Sequence, residues 1–214
     1  MAASAPKATA PISPKRPRKS AKSIERWNQI LDVATRLFRE KGFAATSMQD
    51  VSDEVGLLKG SLYYYVRSKE DLLFGILRDL HENGEEIIAA IDFDSTEPLK
   101  ELERFLLQIV LYAGEHADRL AIFLRDFTFV PQDKQSEIIK ERDMYTHACE
   151  RLIERAIKMK QISRKVNARI AANALLRGAS STHEWYRADG PMKLKDIADQ
   201  VAGILVRGVA NYTP

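Results

Sequence analysis

The stretch Thr46–Leu72, TSMQDVSDEVGLLKGSLYYYVRSKEDL, decides the fold. It predicts two short helices joined by a tight turn and followed at once by a third. Ser47 suits the N-cap of the first, its hydroxyl facing orphan amides, and Asp50 three residues later completes a near capping box with Asp in place of Glu. Met48, Val51 and Val55 fall on one face, while Gln49, Asp53 and Glu54 fall on the wet one. Gly56 stands where the helix must stop, because glycine enters the left-handed region without penalty. Lys59-Gly60-Ser61 opens the second helix, about two turns long, with Leu62 and Val66 facing inward. Ser68, followed by Asp71 before an apolar run, caps the third.

Helix, glycine turn, helix is the plan in which a second helix enters the major groove of DNA. The outer side of that helix carries Lys59, Ser61, Tyr63 and Tyr64. A phenol can stack on a sugar or a thymine methyl while its hydroxyl bonds phosphate. Gly60 lets backbone amides come close to a phosphate. The competing reading makes the three tyrosines half-buried packing residues, with Tyr65 balanced between the two.

The run Thr-Ser-x-x-x-Val-x-x-x-x-Gly-x-x-x-Gly-Ser-Leu-Tyr-Tyr-Tyr-Val-x-Ser-Lys-Glu-Asp-Leu resembles the DNA-binding domain of the tetracycline-repressor (TetR) family. Ala34, Leu37, Phe38, Gly42 and Phe43 match that family's first helix, so the resemblance covers about a third of the ordered chain. It departs where the family often has His-Phe and this chain has Tyr65-Val66. The resemblance implies a dimeric, cytoplasmic, effector-released repressor on a palindromic operator. Lys59 and Lys69 would hold phosphates with help from Thr46 and Ser47; Gly60, Ser61, Tyr63 and Tyr64 would face the groove, with Tyr65 at its margin. An architectural DNA-binder without effector control is the alternative, which the large C-terminal portion disfavours.

The whole chain has 214 residues, 45% of them hydrophobic, enough for a sizeable core. No apolar run approaches the roughly 18–20 residues of a membrane helix, and no secretory signal is present. The lone Cys149 excludes an internal disulfide and reads as a small buried hydrophobe. Residues 1–72 hold 13 Lys/Arg against 8 Asp/Glu, so the positive excess sits on the side of the helix-turn-helix. Residues 1–22, rich in Ala, Pro, Ser, Lys and Arg, predict a disordered basic arm that either adds phosphate contacts or only solubilises. The helix-turn-helix domain then spans 23–68, with an effector-binding and dimerisation domain over 69–214.

The remainder predicts an all-α protein of about nine helices. Ile30, Val33, Ala34, Leu37 and Phe38 form the first helix, ending at Gly42. A fourth helix carries Leu72, Leu73, Ile76, Leu77 and Leu80, losing regularity near Asn83-Gly84. Pro98 opens the next after a break from Asp92. An apolar element over Leu120–Val130 stops at Pro131, and a long helix follows through Ile157. Ser163 suits the N-cap of a helix over Val166–His183, and the last helix runs over Leu194–Val209. These two helices combine small and apolar residues, Ala171, Ala172, Ala174, Leu175, Gly178 and Ala179, then Ile197, Val201, Ile204, Leu205 and Gly208, which suit either a four-helix dimer seam or packing within one subunit.

A ligand pocket is implied by the resemblance. Phe105, Ile109, Tyr112, Phe123, Phe127, Tyr145, Cys149 and Leu152 either line it or are core, and Trp185 is expected to join the lining. The turn from Thr182 through Trp185, Tyr186 and Arg187 to Gly190-Pro191 resembles one in TetR regulators of fatty-acid, branched-chain or steroid degradation. Several of those respond to acyl-CoA thioesters, whose phosphates Arg119, Arg125 and Arg177 would answer. Catalysis finds no support: His81, His116, His147 and His183 are scattered, no phosphate loop, nucleophile elbow or zinc spacing occurs, and no cofactor is expected.

Overall fold

The structure is a computed structural model that describes residues 21–82 and 85–213. Most of the expected arm and the Asn83-Gly84 irregularity lie outside these residues, while Ala21 and Lys22 already belong to the first helix. Among the described residues the protein is all-α. The order is α1 (Ala21–Lys41), α2 (Met48–Val55), α3 (Lys59–Tyr65), α4 (Lys69–Glu82), α5 (Glu85–Ala89), α6 (Pro98–Glu115), α7 (Ala117–Asp126), α8 (Gln132–Lys158), α9 (Ala168–Ser180), α10 (Thr182–Trp185) and α11 (Leu194–Ala210). The apolar element before Pro131 is split: α7 ends at Asp126 and a 3-10 turn, Phe127–Phe129, completes it.

Local chemistry fixes the boundaries that matter. The Ser47 hydroxyl accepts from the Asp50 amide at 3.1 Å, while the Asp50 carboxylate accepts from the Ser47 amide at 2.8 Å. Hydrogen bonding from Ser47, helped by the Lys41 ammonium at 3.2 Å, holds the Asp50 carboxyl down at about 2. Gly56 adopts φ +71°, turning the chain from α2 toward α3. Helix α9 starts later than its sequence predicts. Asn167 caps it, Oδ1 accepting from the Ile170 amide at 3.0 Å, whereas Ser163 serves only the preceding turn, accepting from Lys165 at 3.3 Å. It also stops at Ser180, short of His183, before the separate turn of α10.

One helix ends on a non-glycine residue in the left-handed region. Lys160 has φ +62°, and the Gln161 amide reaches back to the Ala156 carbonyl at 2.9 Å, closing α8. Lys160→Gly is therefore expected to raise unfolding free energy by about 0.5–1 kcal/mol, the left-handed penalty less glycine's extra chain entropy. Urea denaturation checks it; a lower midpoint would contradict the αL account.

Two cores organise the packing. The first gathers Ile30, Leu31, Phe38, Leu62, Leu72 and Ile76 from α1–α4, and receives Ile122, Val130 and Ile138 from beyond them. The second joins α6, α8, α9 and α11 through residues such as Leu102, Leu106, Leu152, Ala172 and Ala198. The reading unit thus shares its apolar core with α7 and the start of α8, which lie beside the second core.

Candidate functional site

The outward face of α3 is the first candidate. Leu62, fully buried, is its single buried residue, and Val66 just past its end is 5% exposed. Everything on the other side is open: Lys59, Gly60 and Ser61 are exposed, Tyr63 is 44% and Tyr64 84% accessible. Tyr65 is half-buried against the first core, its ring edge-on to Tyr64 at 5.4 Å between centroids. It packs more than it projects.

Two expected phosphate contacts have other work. Lys69 turns its ammonium inward, donating to the carbonyls of Phe43 (2.8 Å), Ala44 (3.2 Å) and Thr46 (2.8 Å), and sits 4.5 Å over the Phe43 ring. A cation that already holds three carbonyls has no donor pointing at a groove, so its role is to clamp the α1–α2 loop. Thr46 is 2% exposed, its hydroxyl bonded to the Gly42 carbonyl at 2.8 Å. Burial removes it from any surface contact.

The charge distribution also sharpens. Residues 21–72 carry eight Lys/Arg against eight Asp/Glu, so the whole basic excess of the N-terminal third belongs to residues 1–20. Within the domain, Arg36 pairs with Glu54, Arg39 with Asp118 and Lys41 with Asp50. Lys59 and Arg67, at the two ends of α3, form no ion pair among the described residues and are exposed.

The second candidate is a cavity of about 510 Å³ between α4, α6, α7, α8 and α9. Ile109, Tyr112, Phe123, Phe127, Tyr145 and Arg177 lie on its wall, together with Leu80, Leu120 and Leu124 on the apolar side. The polar lining comes from α8 and α9, where Arg142, Asp143, Thr146, Arg169, Asn173 and Ser180 join Arg177. Arg142 meets Asp143 at 3.2 Å and Arg169 meets Glu150 at 3.9 Å, whereas Arg177 forms no ion pair among the described residues. The Tyr112 hydroxyl donates to the Leu80 carbonyl in the last turn of α4, and burial raises its phenol well above the ordinary range.

Several expected lining residues lie elsewhere. Phe105 and Cys149 are buried in the second core, where desolvation pushes the Cys149 thiol up to about 12. Trp185 is 52% exposed on α10, away from the cavity wall. Arg119 is tied to Asp79 and Asp32, and Arg125 to Asp126 and the Phe38 carbonyl, so neither guanidinium faces the cavity. Phe105 and Cys149 are taken by an apolar core and the two arginines by carboxylates, whereas Trp185 is left facing outward.

Comparison with known proteins bears on both candidates. Residues 30–76 match the family described as bacterial regulatory proteins, tetR family, and residues 95–209, over half of the chain, match the tetracyclin repressor-like C-terminal domain. The chain belongs to the TetR family of bacterial regulatory proteins. It is a helix-turn-helix DNA-binding transcriptional regulator. The HTH-type transcriptional repressor KstR2 of Rhodococcus jostii is 27% identical over 191 residues, covering 87% of this chain and 92% of that protein. A TetR/AcrR-family regulator from Thermobifida fusca is 29% identical with a TM-score of 0.67, over 86% of this chain and 98% of that one. AibR, solved in complex with isovaleryl coenzyme A and operator DNA, shares the fold at a TM-score of 0.74 and 24% identity, over 85% and 98%.

The outward face of α3 extends further in this TetR-family member than its motif singled out. Leu58 caps α3 with no side-chain hydrogen bond and is 81% exposed beside Lys59, and Arg67 stands just beyond the C-cap Val66. An exposed leucine beside a tight turn reads in sequence as linker, which hid it. On the C-terminal domain, Ile170 of α9 and Ile204 of α11 are 71% and 65% exposed. Ala172, Leu175, Ala179 and Ile197 on the same two helices are buried within the subunit, and Leu205 fills the space beside Gly178. Part of the small-residue pattern therefore serves α9–α11 packing within one chain. Among the described residues no helix is long and apolar enough to cross a membrane.

Proposed function

We propose that this TetR-family regulator is a cytoplasmic, non-catalytic repressor that acts as a homodimer on a palindromic operator and is released by a small amphipathic effector. The single observation that carries the reading is the cavity, whose apolar wall includes Leu80 of α4 and whose aromatic side includes Phe123 and Phe127, which also pack on the core of the reading unit. A DNA-binder without effector control has no need of such a shared wall. Exposed Ile170, Ala174, Ile204 and Gly208 on α9 and α11 supply an apolar strip suited to a second copy. Two α3 helices held by a two-fold axis then meet half-sites about one helical turn apart or a multiple of it.

The effector class follows from the lining. Apolar residues of α4, α6 and α7 share the lining with three cations, Arg142, Arg169 and Arg177, against one carboxylate, Asp143, a composition that suits an apolar body with an anionic end. An acyl-CoA thioester fits that description, and the fold neighbour AibR was solved with isovaleryl coenzyme A. The arginines best placed to meet phosphates are Arg142, Arg169 and Arg177; of the three expected from sequence, only Arg177 is among them. The test is a thermal shift of the full-length protein with isovaleryl-CoA and palmitoyl-CoA. Ligand at about 100 times its Kd contributes about 2.7 kcal/mol, a readily measured rise, and the same ligand should lower operator affinity. If neither thioester moves the melting curve of protein that binds its operator, the acyl-CoA assignment is wrong.

On the DNA side, Tyr63, Tyr64, Ser61 and Gly60 face the groove, Lys59 holds phosphate, and Ser47 stands at the start of α2 near the backbone. Tyr64→Ala is expected to lower operator affinity five- to thirtyfold, a loss of about 1–2 kcal/mol. Its melting temperature should hold, since the side chain is 84% exposed and such substitutions stay within about 0.5 kcal/mol. Fluorescence anisotropy and calorimetry on the same sample check both halves; a fall in melting temperature would reassign Tyr64 to packing. Lys59→Ala should weaken binding to all sequences alike and reduce the salt slope by about one for each phosphate that is no longer neutralised.

A further inference from the structure

The cavity and the reading unit meet across one helix. On α7, Leu120, Phe123 and Leu124 form cavity wall, while Asp118, Ile122 and Arg125 fall on the opposite side and Arg119 on the flank between them, one turn before Phe123. Each member of that second set is engaged with the DNA-binding half. The Arg119 guanidinium, 17% exposed, bonds Asp79 of α4 and, at 2.8 Å, Asp32 of α1. Arg125 donates to the Phe38 carbonyl in α1 at 2.7 Å, Arg39 of α1 meets Asp118 at 3.1 Å, and Ile122 is fully buried in the first core. By contrast α4 contributes one cavity residue, Leu80, held by its carbonyl to Tyr112 of α6.

We propose that α7 carries cavity occupancy to the DNA-reading helices, with Arg119 as the positioning residue that binds α1 and α4 to it together. The proposal rests on reading the cavity as the effector site. A bulky occupant presses on three residues of α7 and one of α4, so α7 takes most of the displacement. Because Arg119 grips carboxylates on both α1 and α4, α7 cannot move without dragging the two helices that frame α2 and α3. The side chains at the contact are close-packed or ion-paired, which favours two discrete seatings of α7 over a continuous slide. α4 is then one of two followers of α7, not an independent lever.

A double-substitution cycle tests this without any ligand, since coupling needs a measured non-additivity. Leu124, 45% exposed at the cavity, is replaced by Trp to fill it, and Arg119 by Met to cut the link while keeping bulk. Affinity for an operator fragment selected by the full-length wild-type protein is read by anisotropy, and hydrogen exchange reports the C-terminal half of α1. Leu124→Trp alone should lower affinity at least tenfold and speed exchange in α1. In the Arg119→Met background the same substitution should cost less than threefold and leave α1 exchange unchanged. Fold-losses that simply multiply overturn the proposal. Should Arg119→Met melt early, Asp32→Asn, at a side chain 69% exposed, removes half of the link and should give an intermediate cycle; full multiplication there overturns it equally. Palmitoyl-CoA binding, measured separately by calorimetry, tests the effector assignment: its absence dismisses the ligand class, whereas a multiplicative cycle dismisses α7 whatever binds.

Discussion

Leu62→Ala should lower unfolding free energy by about 3 kcal/mol, within the usual 2–5 kcal/mol range for a buried leucine, and abolish specific operator binding. Helix α3 has seven residues, and Leu62 is the one that is buried. A helix this short has no stability of its own in water, so its position depends on that anchor. Truncation leaves a cavity beneath the helix, next to Val51 and Val66 of the same core. The loss in DNA binding should exceed what the stability change explains. Even molecules that remain folded then hold the face bearing Tyr63 and Tyr64 loosely, and a groove contact misplaced by an ångström or so forfeits its hydrogen bonds. Chemical denaturation gives the first quantity and anisotropy at a temperature well below the transition gives the second. Wild-type operator affinity in folded Leu62→Ala would show that α3 is held by something other than its buried leucine.

Lys69→Met separates two roles that one residue can play. The substitution keeps the hydrocarbon stem against Phe43 and removes the ammonium that binds three carbonyls of the α1–α2 loop. Hydrogen bonds from a charged donor contribute about 1.5–3 kcal/mol each in favourable settings and are not additive. Water reaches part of this loop, so a net loss of about 2–3 kcal/mol is expected. The salt slope of operator binding, measured on folded protein, should stay at its wild-type value. A phosphate-binding lysine would behave in the opposite way: an unchanged melting curve and a slope reduced by about one for each phosphate it had neutralised. The two experiments together admit a single assignment.

The polarity of the molecule follows from these anchors. Net charge is zero over residues 21–72, with eight bases against eight acids, and several of those bases serve ion pairs that hold α1, α2 and α7 together. On the proposed reading, specific contact rests on the uncharged outer face of α3, Lys59 holds phosphate, and residues 1–20 bring the basic excess. Removing residues 1–20 should consequently weaken non-specific DNA binding more than discrimination between operator and random sequence. Competition with bulk DNA measures the ratio; a fall in discrimination would place base contacts in the arm.

Local signals alone determined the helix-turn-helix. A capping pair at Ser47 and Asp50, a glycine at φ +71° and a two-turn helix with Leu62 inward all act within a few residues, where short-range sterics and hydrogen bonds dominate. The all-α class and most helix ends were legible for the same reason. At α9 the sequence points to Ser163 as the cap whereas Asn167 supplies it, because both residue types suit a helix start and packing decides which one lies there. Long-range pairing is another matter. That Lys69 folds back on Phe43, that Arg119 finds Asp79 and Asp32, and that Phe105 and Cys149 enter a core while Arg142 and Arg169 reach the cavity depend on contacts between elements far apart in the chain. A side chain's type says what it can bind, but which partner lies within its reach is set only when the helices pack.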